Sequence, residues 1–302
     1  MSIGPESGDD ILITPALSNL LLEQDKYQAN LSLWDKYLIW RYTLDSGVLT
    51  QFLIGNRQYN NEIWVRNFFY LYASAQYGVK EIPLAWRHWE PYLSNPKTWD
   101  ALPVANKIKL ELELIRQYAI DLERIILAAP SNKDVITVYR ATGVYPDIDG
   151  IVKASQNMSY PQKITFPQDF RVFQKPFNST SYDSQLDFSP FLGSISDCCL
   201  YKIKIPKCSR LLAISPVLHA YPHEREILLP FASTLIVHGV QKKIFNYYPL
   251  DKQKYTAVQS TPLVIGEVYR LRTGNQYLAK KEMRVFECEI ETPLNNCEKQ
   301  VI

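Results

Sequence analysis

The spacing of hydrophobic positions changes character near residue 133. Before that point apolar residues recur at helical intervals. Residues 11–24 carry Leu, Ile and Ala with Pro15 near the start, and residues 33–54 form a long amphipathic segment containing Trp34, Tyr37, Trp40 and Tyr42. Residues 62–77 continue that style. Residues 81–106 hold Pro83, Pro91, Pro96 and Pro103, so they read as loops and short turns. Residues 107–128 give the clearest helix. Ile108, Leu112, Ile115, Ala119, Leu122 and Ile126 share one face, and Pro130 ends the run.

After residue 133 the segments shorten. Asp134 to Arg140 reads as a strand with β-branched residues. Further strand candidates lie at 163–173, 199–206, 209–215, 225–230, 233–240, 263–271 and 284–291, with Gly, Pro, Asn and Ser between them. The short charged patch Lys280 to Arg284 reads as a solvated turn. Helices first and short strands afterwards predict an α+β protein. No fixed-period repeat is visible.

Composition narrows the class only a little. The 302 residues are 46% apolar and 21% charged, which suits a globular chain with a sizeable core. A formal net charge of +2 gives no footprint for nucleic acid. The five cysteines form no C-x-x-C pair and are odd in number, so reduced thiols are expected rather than a disulfide framework or a zinc site. His219 and His223 have a ligand-like spacing, but Pro222 breaks the helix that spacing needs. No metal is expected. The N-terminus lacks a basic n-region and an apolar h-region, and no apolar stretch of about 18 residues is present to span a bilayer.

Three motifs carry candidate chemistry. Tyr139-Arg140-Ala141-Thr142-Gly143 ends a strand. Its arginine is either an edge-strand charge or a planar fork for phosphate oxygens. Phe177-Asn178-Ser179-Thr180-Ser181 is either a strand end or turn, or a set of hydroxyls able to hold a carboxylate or ribose. Glu224-Arg225-Glu226 precedes the apolar run Ile227 to Pro230. On a strand, residues at i and i+2 face one side, and two close carboxylates need partners. The E-x-E pattern recurs at Glu111/Glu113, Glu287/Glu289 and Glu289/Glu291, and the Tyr-Arg pair recurs at Tyr269-Arg270. Order and context remove these decoys. Arg140 comes first, Ser179 to Ser181 follows about forty residues on, and Glu224-x-Glu226 about forty-five after that.

In that order the motifs resemble the arginine–serine–glutamate class of mono-ADP-ribosyltransferases, the group that includes bacterial binary actin toxins and Rho-modifying exoenzymes. The resemblance spans roughly residues 36–240, and Tyr221-Pro-x-Glu-Arg-Glu-Ile-Leu-Leu-Pro230 is its most specific part. It implies a helical region 1–130 packed on or beside a two-sheet mixed or antiparallel β-core at 131–302. Within the former, the NAD-site helix falls near 36–56 and an insert at 57–107 serves target recognition. The resemblance departs from the family at Thr50 and Ile54, where an Asn and an Arg often stand, and at Ala141, where Gly is frequent.

The resemblance also implies roles. Glu226 stabilises the oxocarbenium-like ribose formed as nicotinamide leaves NAD. Ser179 orients Glu226 and the ribose, and Glu224 orients and deprotonates an acceptor arginine. Arg140, Tyr139, Gly143, Thr180, Ser181 and Phe191 bind NAD, with Phe191 against the nicotinamide. The partners are NAD and a host or cellular protein modified on arginine, with no nucleic acid. The setting is a bacterial effector or toxin component that reaches a host cytosol without a classical signal peptide, or else a cytoplasmic protein. Two alternatives stay open: the same fold acting as an inactive binding module, and a hydrolase using Ser179 or Ser215 with His219 or His223. The latter lacks a G-x-S-x-G elbow. Trp64, Trp86, Trp89 and Trp99 are either anchors for the target or core residues of the helical region.

Overall fold

A computed structural model describes residues 14–44, 46–53, 78–80, 83–93, 96–142, 169–174, 177–182, 199–220, 225–247 and 279–291. Helix α1 (Pro15–Ala29) starts where Thr14 accepts from the Leu17 backbone N–H at 3.2 Å, with Pro15 fixed in the first turn. Helix α2 (Leu33–Leu44) starts on a reciprocal cap. The Ser32 hydroxyl accepts from the Asp35 N–H and donates to the Asp35 carboxylate. The single segment expected over 33–54 is two helices, because α3 (Gly47–Leu53) begins afresh on the Ser46 carbonyl.

The proline-rich stretch is helical in short pieces rather than looped. A 3-10 turn (Leu84–Trp89) follows Pro83, and helices α4 (Glu90–Leu93) and α5 (Pro96–Asp100) each hold a proline in the first turn, where its missing N–H costs nothing. Trp86, Trp89 and Trp99 are buried in the core, which makes them structural; Trp64 lies outside the described residues, as does the helical expectation at 62–77. Helix α6 (Val104–Ala128) buries Ile115, Ala119, Leu122 and Ile126 as its spacing requires, but its first turns leave Ile108 and Leu112 exposed.

Strands β1 (Ile136–Thr142), β2 (Phe170–Gln174), β3 (Asn178–Ser181), β4 (Cys199–Ile205), β5 (Leu212–Ala213), β6 (Glu226–Leu229), β7 (Ser233–Tyr247) and β8 (Ala279–Ile290) form one eight-stranded sheet. Its order is β2-β7-β8-β4-β1-β3-β6-β5, and β4 and β8 run parallel. The two-sheet expectation changes accordingly, although the sheet is nearly divided. β1 meets β3 at one residue pair, Tyr139 opposite Ser181. Three further differences concern strands. Ser179 to Ser181 is itself strand, Lys280 to Arg284 lies within β8 rather than a turn, and the run 209–215 narrows to Leu212–Ala213. The candidate strand 263–271 lies outside the described residues.

The core has two parts. One joins the helices to one face of the short strands, through Trp34, Tyr37, Trp86, Tyr118 and Leu122 against Phe177, Leu212 and Leu228. The other lies mainly on the opposite face and gathers Val138, Tyr201, Ile203, Ile227, Leu229, Val237 and Phe286. Leu228 faces one part and Ile227 and Leu229 the other, as strand alternation demands. The short strands are thus sandwiched on both sides, with apolar burial as the main stabilising term.

Candidate functional site

The three motifs meet at the division in the sheet. Glu226 opens β6 and stands opposite Ser181, and Ser181 stands opposite Tyr139 across the single β1–β3 pair. Directly opposed residues of antiparallel strands share a face, so Tyr139, Ser181 and Glu226 form a row. Lys202 and then Glu287 extend it, with Lys202 Nζ 3.5 Å from a Glu287 carboxylate oxygen. Ser179 points to the same side but stands opposite Leu228, so the direct cross-strand neighbour of Glu226 is Ser181. Thr180 is turned away and donates its hydroxyl to the Ile227 carbonyl at 2.6 Å, which locks β3 to β6.

Arg140 lies where β1 and β3 part. Had that ladder continued, Ala141 would stand opposite Ser179. Instead Arg140 Nη1 donates to the Ser179 carbonyl at 2.9 Å. A guanidinium has five N–H donors, and this bond uses one. The side chain is half-buried, so it borders both protein and solvent. On the neighbouring strand Tyr201 stands opposite Arg140; burial pushes its phenol well up, and the Arg140 charge opposes that rise.

Glu226 is 3% exposed. Its Oε2 lies 2.8 Å from His219 Nε2, and the His219 side chain is as deeply buried. An ionised carboxylate only accepts, so opposite one the contact takes the His219 tautomer that carries Nε2–H. Sequence reasoning did not connect His219 to Glu226. It weighed the histidine only as a metal ligand or a hydrolase base, and a separation of seven residues in sequence carries no periodic signal that would pair it with Glu226. Arg225, immediately before Glu226, sits at φ 48°, in the left-handed region. Strand geometry therefore starts at Glu226, and the same-face rule for residues at i and i+2 does not reach back across Arg225. Glu224, Gly143 and Phe191 lie outside the described residues, as does Ile54; Thr50 is in α3.

Among the described residues no group of three or more His, Cys, Asp or Glu side chains is arranged to hold a metal ion, and no helix is long and apolar enough to cross a membrane.

No family model matches the chain, and no curated protein matches it. Among solved structures, the chain is similar to Plx2a, an ADP-ribosyltransferase toxin from Paenibacillus larvae, at 14% identity over 92% of this chain and 95% of that one, with a TM-score of 0.48. It is similar to C3stau2 from S. aureus, solved with NAD, at 15% identity over 91% and 95%, with a TM-score of 0.46. It is also similar to the Salmonella SpvB ATR domain, at 16% identity over 85% and 98%, with a TM-score of 0.41.

Proposed function

We propose that this chain is an NAD-dependent mono-ADP-ribosyltransferase that passes ADP-ribose to an arginine side chain of a protein acceptor. The observation that carries this reading is the row Tyr139–Ser181–Glu226, in which three motifs far apart in sequence stand on adjacent strands, with Arg140 on the alternate face of β1 and bonded to the Ser179 carbonyl where β1 and β3 part.

The reaction breaks the bond between the ribose C1′ and the nicotinamide nitrogen. Nicotinamide leaves with the electron pair, and positive charge develops on the ribose. Glu226 is the carboxylate that stabilises this charge, in a buried place where such an interaction is stronger than in water. Its Oε2 is taken by His219, so Oε1 is the oxygen offered to the ribose 2′-hydroxyl. Ser179 and Ser181 lie on the ribose side of the sheet, and Tyr139 lines the same row. Arg140 holds the NAD phosphates with the donors not used on Ser179. Gly143, Thr180 and Phe191 complete the NAD site, Thr180 by holding β3 in register.

The acceptor guanidinium then bonds to C1′ through one nitrogen and releases a proton. Glu224 orients that guanidinium and takes the proton. The helical region 1–130 supplies the surface that selects the acceptor, and the setting is a bacterial effector acting on a host protein.

Incubation of a eukaryotic lysate with the protein and labelled NAD tests the reading. A labelled band carrying ADP-ribose on arginine, absent with Glu226→Ala, is the expected result. No label, or equal label with the variant, would overturn it. Glu224→Gln is expected to abolish arginine transfer while nicotinamide release continues; intact arginine transfer would remove the role assigned to Glu224.

A further inference from the structure

We infer that His219 is a positioning residue for Glu226: its Nε2–H holds Oε2 and presents Oε1 to the bound ribose. The inference rests on the reading of Glu226 as the catalytic carboxylate.

Glu226 is the first residue of its strand and follows a left-handed residue, so β6 pairing alone constrains its side chain little. A side chain at such a place needs a second contact to settle in one rotamer. His219 supplies it at 2.8 Å, and both side chains are almost wholly buried, at 1% and 4% exposure.

His219 is itself held by a loop braced from three sides. The Ile214 N–H donates to the carbonyl of Glu226 at 2.9 Å, so the loop starts bonded to the residue its histidine reaches. Helix α1 grips the next part. Gln28 Nε2 donates to the Ala213 carbonyl at 2.7 Å, and Gln28 Oε1 accepts from the Ser215 N–H at 2.9 Å. The turn Pro216–Leu218 closes through the Leu218 N–H on the Ser215 carbonyl. Helix α2 grips the far end, where Thr43 Oγ1 accepts from the Ala220 N–H at 2.9 Å. Two helices and one strand thus fix the backbone on both sides of His219. A loop that only filled space would not need its imidazole aimed at a strand-end carboxylate.

Three substitutions separate positioning from packing. Gln places an amide N–H close to where Nε2 stands, Asn is too short to reach Glu226, and Leu removes the donor. With purified protein and NAD, nicotinamide release is followed against NAD concentration, and thermal melting checks folding. The kcat is expected to fall by about 10–100-fold for His219→Asn and His219→Leu, to stay within about threefold of wild type for His219→Gln, and KM for NAD to change little, as expected when a reacting group is misplaced. If His219→Leu does not fold, the Asn and Gln pair carries the test. Equal kcat in Asn and wild type, equal loss in Asn and Gln, or a change confined to KM would overturn the inference and leave the assignment of Glu226 standing. A wild-type chain that releases no nicotinamide would overturn that assignment, and with it the role of His219.

Discussion

The two wings of the sheet are held together by different means. In the wing formed by β2, β7, β8, β4 and β1, long ladders supply the order. The β7–β8 ladder runs from Leu235 opposite Ile290 to Tyr247 opposite Ala279 with one bulge between Val237 and Gly239, and β1 pairs with β4 along its whole length. In the wing formed by β3, β6 and β5, strands are two to four residues long, and side chains complete what the ladders leave open. Gln24 donates to the Leu211 carbonyl, Gln28 bridges Ala213 and Ser215, Thr180 donates to Ile227, and Arg140 donates to Ser179. Glu123 of α6 accepts from the Phe231 N–H just past β6. The candidate site lies at the border of the braced wing, with Ser181 and Glu226 inside it and Tyr139 and Arg140 on the adjoining β1. Short strands leave carbonyls and strand ends that side chains can occupy, and those same places can meet a ligand.

If this contrast is right, altering a brace in the short wing changes stability far more than cutting a surface pair in the long one. The largest effect is expected at Glu123, whose carboxyl is pushed up to about 8 by burial, with the Phe231 N–H opposing. The folded protein binds that proton more tightly than the unfolded chain. The stability this contributes is full below the unfolded value near 4.5 and is lost as pH rises through about 8. Glu123→Gln keeps an acceptor for the Phe231 N–H and removes the titration, so it should flatten the decline over that range, with a gain of about 4 kcal/mol at pH 8 and little at pH 4.5, read from denaturant unfolding. Gln28→Ala comes next. It strips a buried carbonyl and a buried N–H of their partners, and a loss of about 2 kcal/mol is expected in the same measurement. The smallest effect is expected at Glu287→Gln in the long wing, where the partly exposed pair with Lys202 contributes about 0.5 kcal/mol or less. A larger loss at Glu287 than at Gln28 would reverse the comparison.

Much of the long wing was legible in the sequence, because β-branched runs bounded by turn residues announce strands such as β1, β4 and β7. The helical face of α6 was legible where it is buried, at Ile115, Ala119, Leu122 and Ile126. It failed at Ile108 and Leu112, since periodicity marks a face but not how far along the helix that face is covered. The braced wing was legible only through its chemistry. Ser179, Thr180 and Ser181 are small and polar, and of the three only Thr180 has a side chain that favours a strand; pairing with β6 makes them one. Which serine stands opposite Glu226 depends on register, and register is fixed by tertiary pairing. The braces themselves were invisible. Gln24 and Gln28 look like solvent-facing helix positions, yet they are buried because strand-end backbone groups need them. His219 was hidden for the same reason, since its partner is brought to it by a loop that those glutamines hold.

The central claim is that Glu226 is the carboxylate that splits NAD. The direct measurement is nicotinamide release from NAD by the purified protein without acceptor, comparing wild type with Glu226→Gln at matched thermal stability. Release by wild type and a fall of about 100–1,000-fold in kcat for the variant is the result expected when an electrostatic stabiliser of developing charge is neutralised. Release that is unchanged by the substitution, or absent from wild type, would contradict the account.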